Sequence, residues 1–323
     1  MAPKHPVSLG FSDEGQPPPS RSGGRFRALF ELGKLRIVEL WIGFFVGVTL
    51  LDASALHAGR SLALLALILV AGIAVIAATC SLDDIVGVRD GVDQANHRDS
   101  TRWGVNKPIL TGELSEGRAF RFVHGLAVVV AVCLAAIGVL AWPLPGWLLV
   151  LIPALMLIAV NYSYGLKLSY HGAGEAVILL GAAGTVLIPP ALIQHTLSPQ
   201  LLVEALLVGF WHAQVVVFSN TQDAAGDRAT GRMTMAARTS ERGNRRYIVG
   251  VFLVSLGLGV GGLIAGALPA TYVWALAPIW GLQAWQLWTG VGARQWLRAR
   301  RIGFAIIRVG VAALVLANLG LRP

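Results

Sequence analysis

Residues 61–79 read Ser-Leu-Ala-Leu-Leu-Ala-Leu-Ile-Leu-Val-Ala-Gly-Ile-Ala-Val-Ile-Ala-Ala-Thr, a run without a single charged side chain. A helix that crosses the hydrocarbon core of a bilayer needs about 20 such residues. The next five residues are Cys80-Ser-Leu-Asp-Asp, so the apolar run is followed by two carboxylates, Asp83 and Asp84. This stretch predicts a transmembrane helix whose end carries acidic groups.

The composition extends this prediction to the whole chain. Of its 323 residues, 55% are hydrophobic and 13% are charged, and the mean hydropathy is +0.66. Soluble domains carry about 25% charged residues, so this chain has too few polar groups to cover a water-soluble globule. Its two cysteines, Cys80 and Cys133, are too few for a disulfide-stapled secreted scaffold. The composition therefore indicates an all-α, multi-pass membrane protein.

Apolar runs of roughly the length of a membrane span occur nine times. None shows the strict alternation that a membrane β-barrel requires. The sequence thus predicts nine transmembrane helices, at Ile37–Leu51, Ser61–Thr79, Phe122–Ala141, Trp147–Tyr164, Glu175–Ile193, Leu201–Ser219, Tyr247–Ala267, Thr271–Thr289 and Ile302–Leu319.

The positions of lysine and arginine predict the orientation. With nine spans, the loops on one side contain nearly all the basic residues, whereas the other side has only Arg60 and Arg322, and Arg308 lies within the ninth span. Because basic loops stay on the cytoplasmic side, we expect a cytosolic amino terminus in a bacterial-type plasma membrane. Residues 1–30, rich in Pro, Gly and Ser, are predicted to form a disordered cytosolic tail, and residues 31–323 the membrane domain.

Two loops on the basic side are also acidic. The first contains Asp83, Asp84, Asp90 and Asp93, and the second contains Asn220, Asp223 and Asp227. Each follows a predicted span, so we expect the helix to continue beyond the hydrocarbon. On a helix Asn220, Asp223 and Asp227 share one face, as do Asp83 and Asp90, whereas Asp84 lies well round from Asp90.

Carboxylates on one helical face repel each other unless a cation lies between them. Mg²⁺ prefers oxygen ligands and is usually bound by one or two carboxylates together with substrate phosphates. Two facing acidic clusters with basic side chains nearby therefore predict a metal-bridged diphosphate site at the cytosolic mouth. The alternative is that these residues form a solvated juxtamembrane surface.

Four motifs, taken in order, resemble the UbiA superfamily of intramembrane prenyltransferases. The resemblance covers nearly all of the chain from about Gly33 onward. The acidic loops follow the second and sixth spans, as they do in that family. The matching residues are Asp84 and Asp90; the segment Asn106-Lys-Pro-Ile-Leu-Thr-Gly-Glu-Leu-Ser115; Tyr162, Ser163 and Lys167, followed by Gly172, Gly174 and Glu175; and Asp223, Asp227, Gly231, Arg232, Thr234 and Arg238.

The resemblance implies a Mg²⁺-dependent enzyme that moves an isoprenyl group from an allylic polyprenyl diphosphate to a small, aromatic acceptor and releases pyrophosphate. Its partners would be the isoprenyl diphosphate and the lipid bilayer, and not nucleic acid; the sequence leaves the oligomeric state open. The implied catalytic and metal-binding residues are Asp84, Asp90, Asp223 and Asp227. The implied substrate-binding residues are Asp83, Asp93, Lys107, Tyr162, Lys167, Asn220 and Arg232.

The first acidic motif departs from the family pattern. Aligning Asp84 and Asp90 with the family's two carboxylates puts Cys80 where an asparagine is usual and Ser81 where an aspartate is usual. Helical geometry would instead pair Asp83 with Asp90, so either Asp83 or Asp84 could be the metal ligand. The departure also leaves open a UbiA-type terpene cyclase, which needs no acceptor. A transporter is disfavoured because Arg308 is nearly alone as a charge within the spans.

Overall fold

The computed structural model describes residues 24–97 and 107–320. Within these ranges the chain is helical and has no β-strand. The helices are α1 (Arg25–Leu32), α2 (Gly43–Thr49), α3 (Ala53–His57), α4 (Gly59–Arg89), α5 (Val92–Asn96), α6 (Glu116–Leu140), α7 (Gly146–Val160), α8 (Gly174–Gln194), α9 (Pro199–Ala229), α10 (Met235–Arg238), α11 (Glu241–Ile264), α12 (Val273–Leu287) and α13 (Trp296–Gly320).

Six of these helices are long and apolar enough to cross a membrane: α4, α6, α8, α9, α11 and α13. The remaining three predicted spans contain the shorter helices α2, α7 and α12, of 7, 15 and 15 residues. The all-helical prediction is therefore confirmed. Among the described residues, six helices have the length and composition of a membrane span, so the predicted count of nine is not confirmed.

The first predicted span packs very closely against α8. A Cβ atom on Gly47 would lie 2.3 Å from the carbonyl oxygen of Val186 in α8, and one on Gly43 would lie 2.4 Å from Thr185 Oγ1. Only glycine allows this approach of backbone to backbone. The segment forms a short 3₁₀ turn, Val38–Leu40, followed by α2.

Helix α9 is the central element of the bundle. It packs against α8, α11 and α13, and its most apolar stretch is the most deeply buried of the six long helices. Ser198 begins the helix by accepting a hydrogen bond from the Leu201 amide, with Pro199 as the first helical residue. The largest hydrophobic cluster includes Trp211 and Val208 of α9 and Ile306 and Ile307 of α13.

Both acidic motifs lie where long helices extend beyond their apolar parts. Helix α4 continues to Arg89 and α9 to Ala229, so each motif begins on a helix. Asp90 ends α4, and Gly91 then takes the left-handed conformation, with φ of 76°. The two motifs therefore reach the same end of the bundle, where α5 also packs against α9.

The amino-terminal segment is ordered earlier than the sequence suggested. Helix α1 begins at Arg25, inside the segment 1–30 predicted as a disordered tail. Its residues Ala28 and Leu32 are buried together with Ile85 of α4 and Leu114. This packing explains why the segment from Arg25 onward is helical. Residues 1–23 of the predicted tail, and Asn106 of the second motif, lie outside the described residues.

Candidate active site

The neighbouring carboxylates Asp83 and Asp84 point to different surroundings, because adjacent helical residues are about 100° apart. Asp84 is 1% exposed, and its Oδ1 atom lies 2.8 Å from Lys107 Nζ and 3.2 Å from Lys34 Nζ. The Asp83 side chain is 19% exposed and accepts a hydrogen bond of 2.6 Å from Ser163 Oγ. Asp84 thus lies inside the packed structure, whereas Asp83 faces the accessible site.

The surroundings of Asp84 form a buried charge cluster. Lys107 Nζ also donates to both carboxylate oxygens of Asp93, at 2.8 and 2.9 Å. Asp93 approaches α4 at Gly87, where a Cβ atom would lie 2.8 Å from its Oδ1 atom. Burial alone would lower the pKa of Lys107, but the carboxylate of Asp84 and then that of Asp93 outweigh this and raise it. Lys107 therefore stays charged and joins the two halves of the first motif.

Arg232 connects the second motif to the first. It lies in the loop after α9, and its guanidinium is 3.8 Å from Asp83 Oδ1. Burial would lower the pKa of Arg232, but the negative charge of Asp83 outweighs this and raises it. Its Nε atom is buried and makes no hydrogen bond within the described structure. An N–H group in this state is available to an anionic ligand.

Tyr170 lies between two cations of the site, although the motifs of the sequence do not include it. Lys167 Nζ is 4.9 Å and the Arg232 guanidinium carbon 5.4 Å from the centre of its ring. Both distances allow cation–π attraction. Lys167 also pairs with Asp90 Oδ2 at 2.5 Å. Tyr170 therefore helps to place the basic groups that face Asp83 and Asp90.

In the second motif, Asp227 is anchored by hydrogen bonds. It is 1% exposed, accepts a bond of 2.8 Å from Asn96 Nδ2 and accepts one of 3.3 Å from Thr234 Oγ1. Gly226 makes this contact possible, since a Cβ atom there would lie 2.0 Å from Asn96 Oδ1. Asp223, one turn earlier, is partly exposed. The bond between Asn96 and Asp227 ties the second motif directly to the segment that follows the first.

The other predicted site residues lie on the walls of the same region. Asn220 is buried and donates to Glu175 Oε1 at 2.9 Å, so it holds α8 against α9. The ring of Tyr162 packs against the start of α8, where a Cβ atom on Gly174 would lie 3.5 Å from its Cε2 atom. Both residues therefore contribute to the site through the way they fix α8 beside it.

Lys34 is a site residue that the sequence motifs did not indicate. It has the left-handed conformation, with φ of 51°, and contacts Asp84 and Asp83 at 3.2 and 3.8 Å. Burial would lower its pKa, but these carboxylates, Asp84 foremost, raise it. A positive φ is uncommon for a residue other than glycine, and nothing in the sequence indicates that Lys34 adopts it.

The arrangement can hold an anion and a divalent cation together. Within the described residues, no three Asp, Glu, His or Cys side chains form a ready-made metal site. Mg²⁺ commonly uses only one or two carboxylates and completes its shell with substrate phosphates. The partly exposed Asp83, Asp90 and Asp223 fit that mode best. Asp227 is 1% exposed and both its oxygens accept hydrogen bonds. Asp84 is equally buried, and its Oδ1 atom is held by two lysines, whereas its Oδ2 atom has no hydrogen-bond partner in the described structure.

An apolar cavity of about 240 Å³ opens beside this charged region. Thr79 and Cys80, one turn before Asp83 on α4, line it at the charged end. Its other walls come from residues 40–44, α6, α7, α8 and α9, and include Trp41, Phe44 and His212. A charged site thus adjoins an apolar cavity within the same helical bundle.

Comparisons with known proteins agree with this fold. The model of the UbiA prenyltransferase family matches residues 40–307. No curated protein matches the sequence significantly. Three solved structures share the fold. The first, from work on digeranylgeranylglyceryl phosphate synthase, is 13% identical, covers 92% of this chain and 99% of its own, and has a TM-score of 0.60.

The other two are described as UbiA homologues. The apo protein from Aeropyrum pernix K1 is 16% identical, with a TM-score of 0.61 over 91% of this chain and 98% of its own. The protein from Archaeoglobus fulgidus, bound to DMAPP and Mg²⁺, is 13% identical, with a TM-score of 0.62 over 89% of this chain and 99% of its own. Since the family model spans most of its length, this chain is an integral membrane protein that belongs to the UbiA prenyltransferase family.

Proposed function

We propose that this protein is a Mg²⁺-dependent prenyltransferase that moves an isoprenyl group from an allylic diphosphate to a small, aromatic acceptor. One observation carries the proposal: carboxylates and cations from distant segments converge at the mouth of an apolar cavity. The charged part suits a diphosphate with its metal, and the cavity suits a hydrocarbon tail. A structural neighbour bound to DMAPP and Mg²⁺ supports the same pairing.

We assign the diphosphate to the side chains that face the accessible part of the site. Lys34, Lys167 and Arg232 would contact its oxygens, and the unpartnered Nε–H of Arg232 would donate to one of them. Preorganised donors of this kind stabilise the charge that develops on a leaving group. Bound Mg²⁺ would add Lewis-acid stabilisation of the same leaving pyrophosphate.

Of the first-motif carboxylates, we propose that Asp83 and Asp90 rather than Asp84 hold the metal. Asp83 is partly exposed, and it lies near Arg232 from the second motif. Asp84 is 1% exposed, and Lys34 and Lys107 both hold its Oδ1 atom, so only its buried, unpartnered Oδ2 atom could take part. In the second motif, the partly exposed Asp223 would hold the metal, together with Asp227, which would give up the hydrogen bond from Asn96 or Thr234 to do so. The open side of the site would face the cytosol.

The cavity would protect the reactive chain from water. Loss of pyrophosphate leaves positive charge on the allylic carbon, and water would capture that cation. The wall residues Trp41 and Phe44 exclude water. An aromatic ring face such as that of Trp41 can stabilise a nearby positive charge. The acceptor's ring carbon would then form the new bond and lose its proton to a base.

A terpene cyclase remains the second candidate, favoured by the two aromatic rings in the cavity wall. In that case the cation would be attacked by a double bond of its own chain. The altered first motif, with Cys80 in place of the usual asparagine, is compatible with either reaction.

One experiment tests both candidates. Purified protein in lipid nanodiscs receives geranyl or farnesyl diphosphate and Mg²⁺, with and without a panel of phenolic acceptors. We expect pyrophosphate and a prenylated phenol only when acceptor and metal are both present. A cyclic hydrocarbon formed without acceptor would identify a cyclase. Full turnover after thorough chelation, or no pyrophosphate with any combination, would contradict the proposed function.

A further inference from the structure

The apolar cavity ends inside the protein. Phe44, Ile68, Ile137 and Leu192 line it at the end far from the acidic motifs. The same four side chains belong to a buried cluster together with Leu51, Leu64, Leu65, Ala141, Ala191 and Leu148, each at most 8% exposed. Protein interiors of this kind are close-packed, so the cluster forms a floor.

The depth of the cavity can be read along α4. Cys80 lines the charged end and Ile68 the floor, and twelve helical residues span about 18 Å. One extended isoprene unit adds four carbon–carbon bonds of ~1.5 Å each, or about 5 Å along the chain. The depth therefore accommodates about three isoprene units.

The volume gives a similar limit. A cavity of about 150 Å³ lined by Leu, Ile and Phe holds one benzene molecule, with its six carbons. In proportion, the 240 Å³ of this cavity holds roughly ten carbons, or two isoprene units. Depth and volume together limit the length of the donor's hydrocarbon tail to that of a geranyl or a farnesyl group.

We propose that this floor restricts the donor to short allylic diphosphates of two or three isoprene units, and that it excludes long polyprenyl chains. The inference rests on the proposed function, because it assumes that the cavity receives the donor's hydrocarbon tail. It adds the length class of the substrate and the side chains that select it. Phe44, the largest residue of the floor, is the chief barrier to a fourth unit.

A larger side chain at Gly72 would shorten the cavity. It lines the cavity, and a Cβ atom there would meet no heavy atom within 4 Å. It lies eight residues from Cys80 on α4, or about 12 Å along the helix. A leucine at this position would occupy the space of the third isoprene unit. Leucine also favours helix more than glycine does, so Gly72→Leu is expected to fold.

Gly125→Leu is the matched control. Gly125 lies on α6, is exposed and does not line the cavity, and a Cβ atom there would also meet no heavy atom within 4 Å. The same substitution therefore adds the same side chain outside the cavity. An effect common to both variants would come from the added leucine alone.

The experiment measures kcat/KM for dimethylallyl, geranyl, farnesyl, geranylgeranyl and solanesyl diphosphates. We expect wild type and Gly125→Leu to prefer geranyl and farnesyl donors and to lose about tenfold or more at geranylgeranyl and beyond. Gly72→Leu should lose about tenfold on farnesyl relative to geranyl. Phe44→Leu should move the limit the other way, towards geranylgeranyl.

Equal use of farnesyl, geranylgeranyl and solanesyl donors by the wild type would overturn the inference, as would an unchanged profile in Gly72→Leu. If no donor is turned over, the proposed transfer reaction fails instead. The length limit is then measured separately, as protection by the same five diphosphates against thermal unfolding. Protection by solanesyl diphosphate equal to that by farnesyl diphosphate would contradict the floor in that case also.

Discussion

At the scale of single residues, the main result is that the adjacent aspartates Asp83 and Asp84 lie in different surroundings. Asp84 contributes to a buried network with Lys34, Lys107 and Asp93, whereas Asp83 faces Ser163 and Arg232. Helical geometry already separated the directions of the two side chains. The choice between them depends on Lys107, which reaches Asp84 from a segment 23 residues away.

The two aspartates are expected to respond differently to substitution. Asp83→Asn should reduce turnover by about 10²-fold or more, because a charge that faces the diphosphate site is lost, while the protein remains stable. Asp84→Asn should destabilise the fold by roughly 3–5 kcal/mol, because Lys34 and Lys107 lose the buried carboxylate charge that they share. Thermal unfolding and turnover per folded molecule measure the two effects. The reverse pattern would make Asp84 the metal ligand.

The second motif carries its own prediction. Asp223→Ala and Asp227→Asn should each lower turnover by roughly 10²–10³-fold, with insertion and folding retained. The matched control is Glu241→Ala, which removes an exposed carboxylate of the following helix. Initial rates at saturating Mg²⁺ provide the measurement. Wild-type rates in either aspartate variant would remove these residues from the catalytic assignment.

At the scale of elements, close glycine contacts determine how α2 meets α8. Gly43 and Gly47 lie one helical turn apart and both contact α8. In lipid, helices associate largely through such packing, since the surrounding hydrocarbon offers little hydrophobic drive. This contact also places Phe44, between the two glycines, in the cavity floor.

Gly47→Ala tests this contact. The added methyl group would overlap the Val186 carbonyl, so we expect a loss of roughly 1–3 kcal/mol in the free energy of unfolding. Gly138→Ala on α6, where a Cβ atom meets nothing within 4 Å, should be neutral. Thermal unfolding in one detergent compares the pair. Equal stability of both variants would show that α2 shifts freely away from α8.

One further element pairing involves the charge that lies within the ninth predicted span. Arg308 of α13 donates through Nε to Glu39 Oε1 at 2.5 Å. Glu39 is 2% exposed, and its carbonyl oxygen contacts His212 Nε2 at 2.8 Å. The arginine within the apolar segment thus pairs with a carboxylate, as charged residues in membrane spans commonly do.

At the scale of the whole molecule, the two ends of the bundle differ in kind. The end with the acidic motifs is charged, whereas the other end is held by a polar network around Glu204. Glu204 accepts from Gln200 at 2.9 Å, from Tyr272 at 3.1 Å and from Asn318 at 3.0 Å. Asn318 also donates to Thr49 at 3.0 Å. The network joins the first and last predicted spans to α9.

Glu204 is therefore expected to affect stability and not chemistry. Glu204→Ala should cost roughly 1–3 kcal/mol, because buried donors lose their partner, and Glu204→Gln should cost less, because it keeps the shape and an acceptor oxygen. Turnover and KM per folded molecule should match the wild type in both. A raised KM with unchanged stability would place Glu204 in the catalytic system instead.

The sequence by itself determined the helical class, the membrane environment, the approximate positions of the apolar segments and both acidic motifs. These features are local: hydropathy over about 20 residues and side-chain spacing along one helix are independent of the rest of the fold. Contacts between distant segments could not be read in this way. Lys34 near Asp84, Arg232 near Asp83, Tyr170 between two cations and the closed floor of the cavity arise only when the helices pack. The tertiary structure alone decided them, because each depends on the relative placement of segments that the chain separates by tens to hundreds of residues.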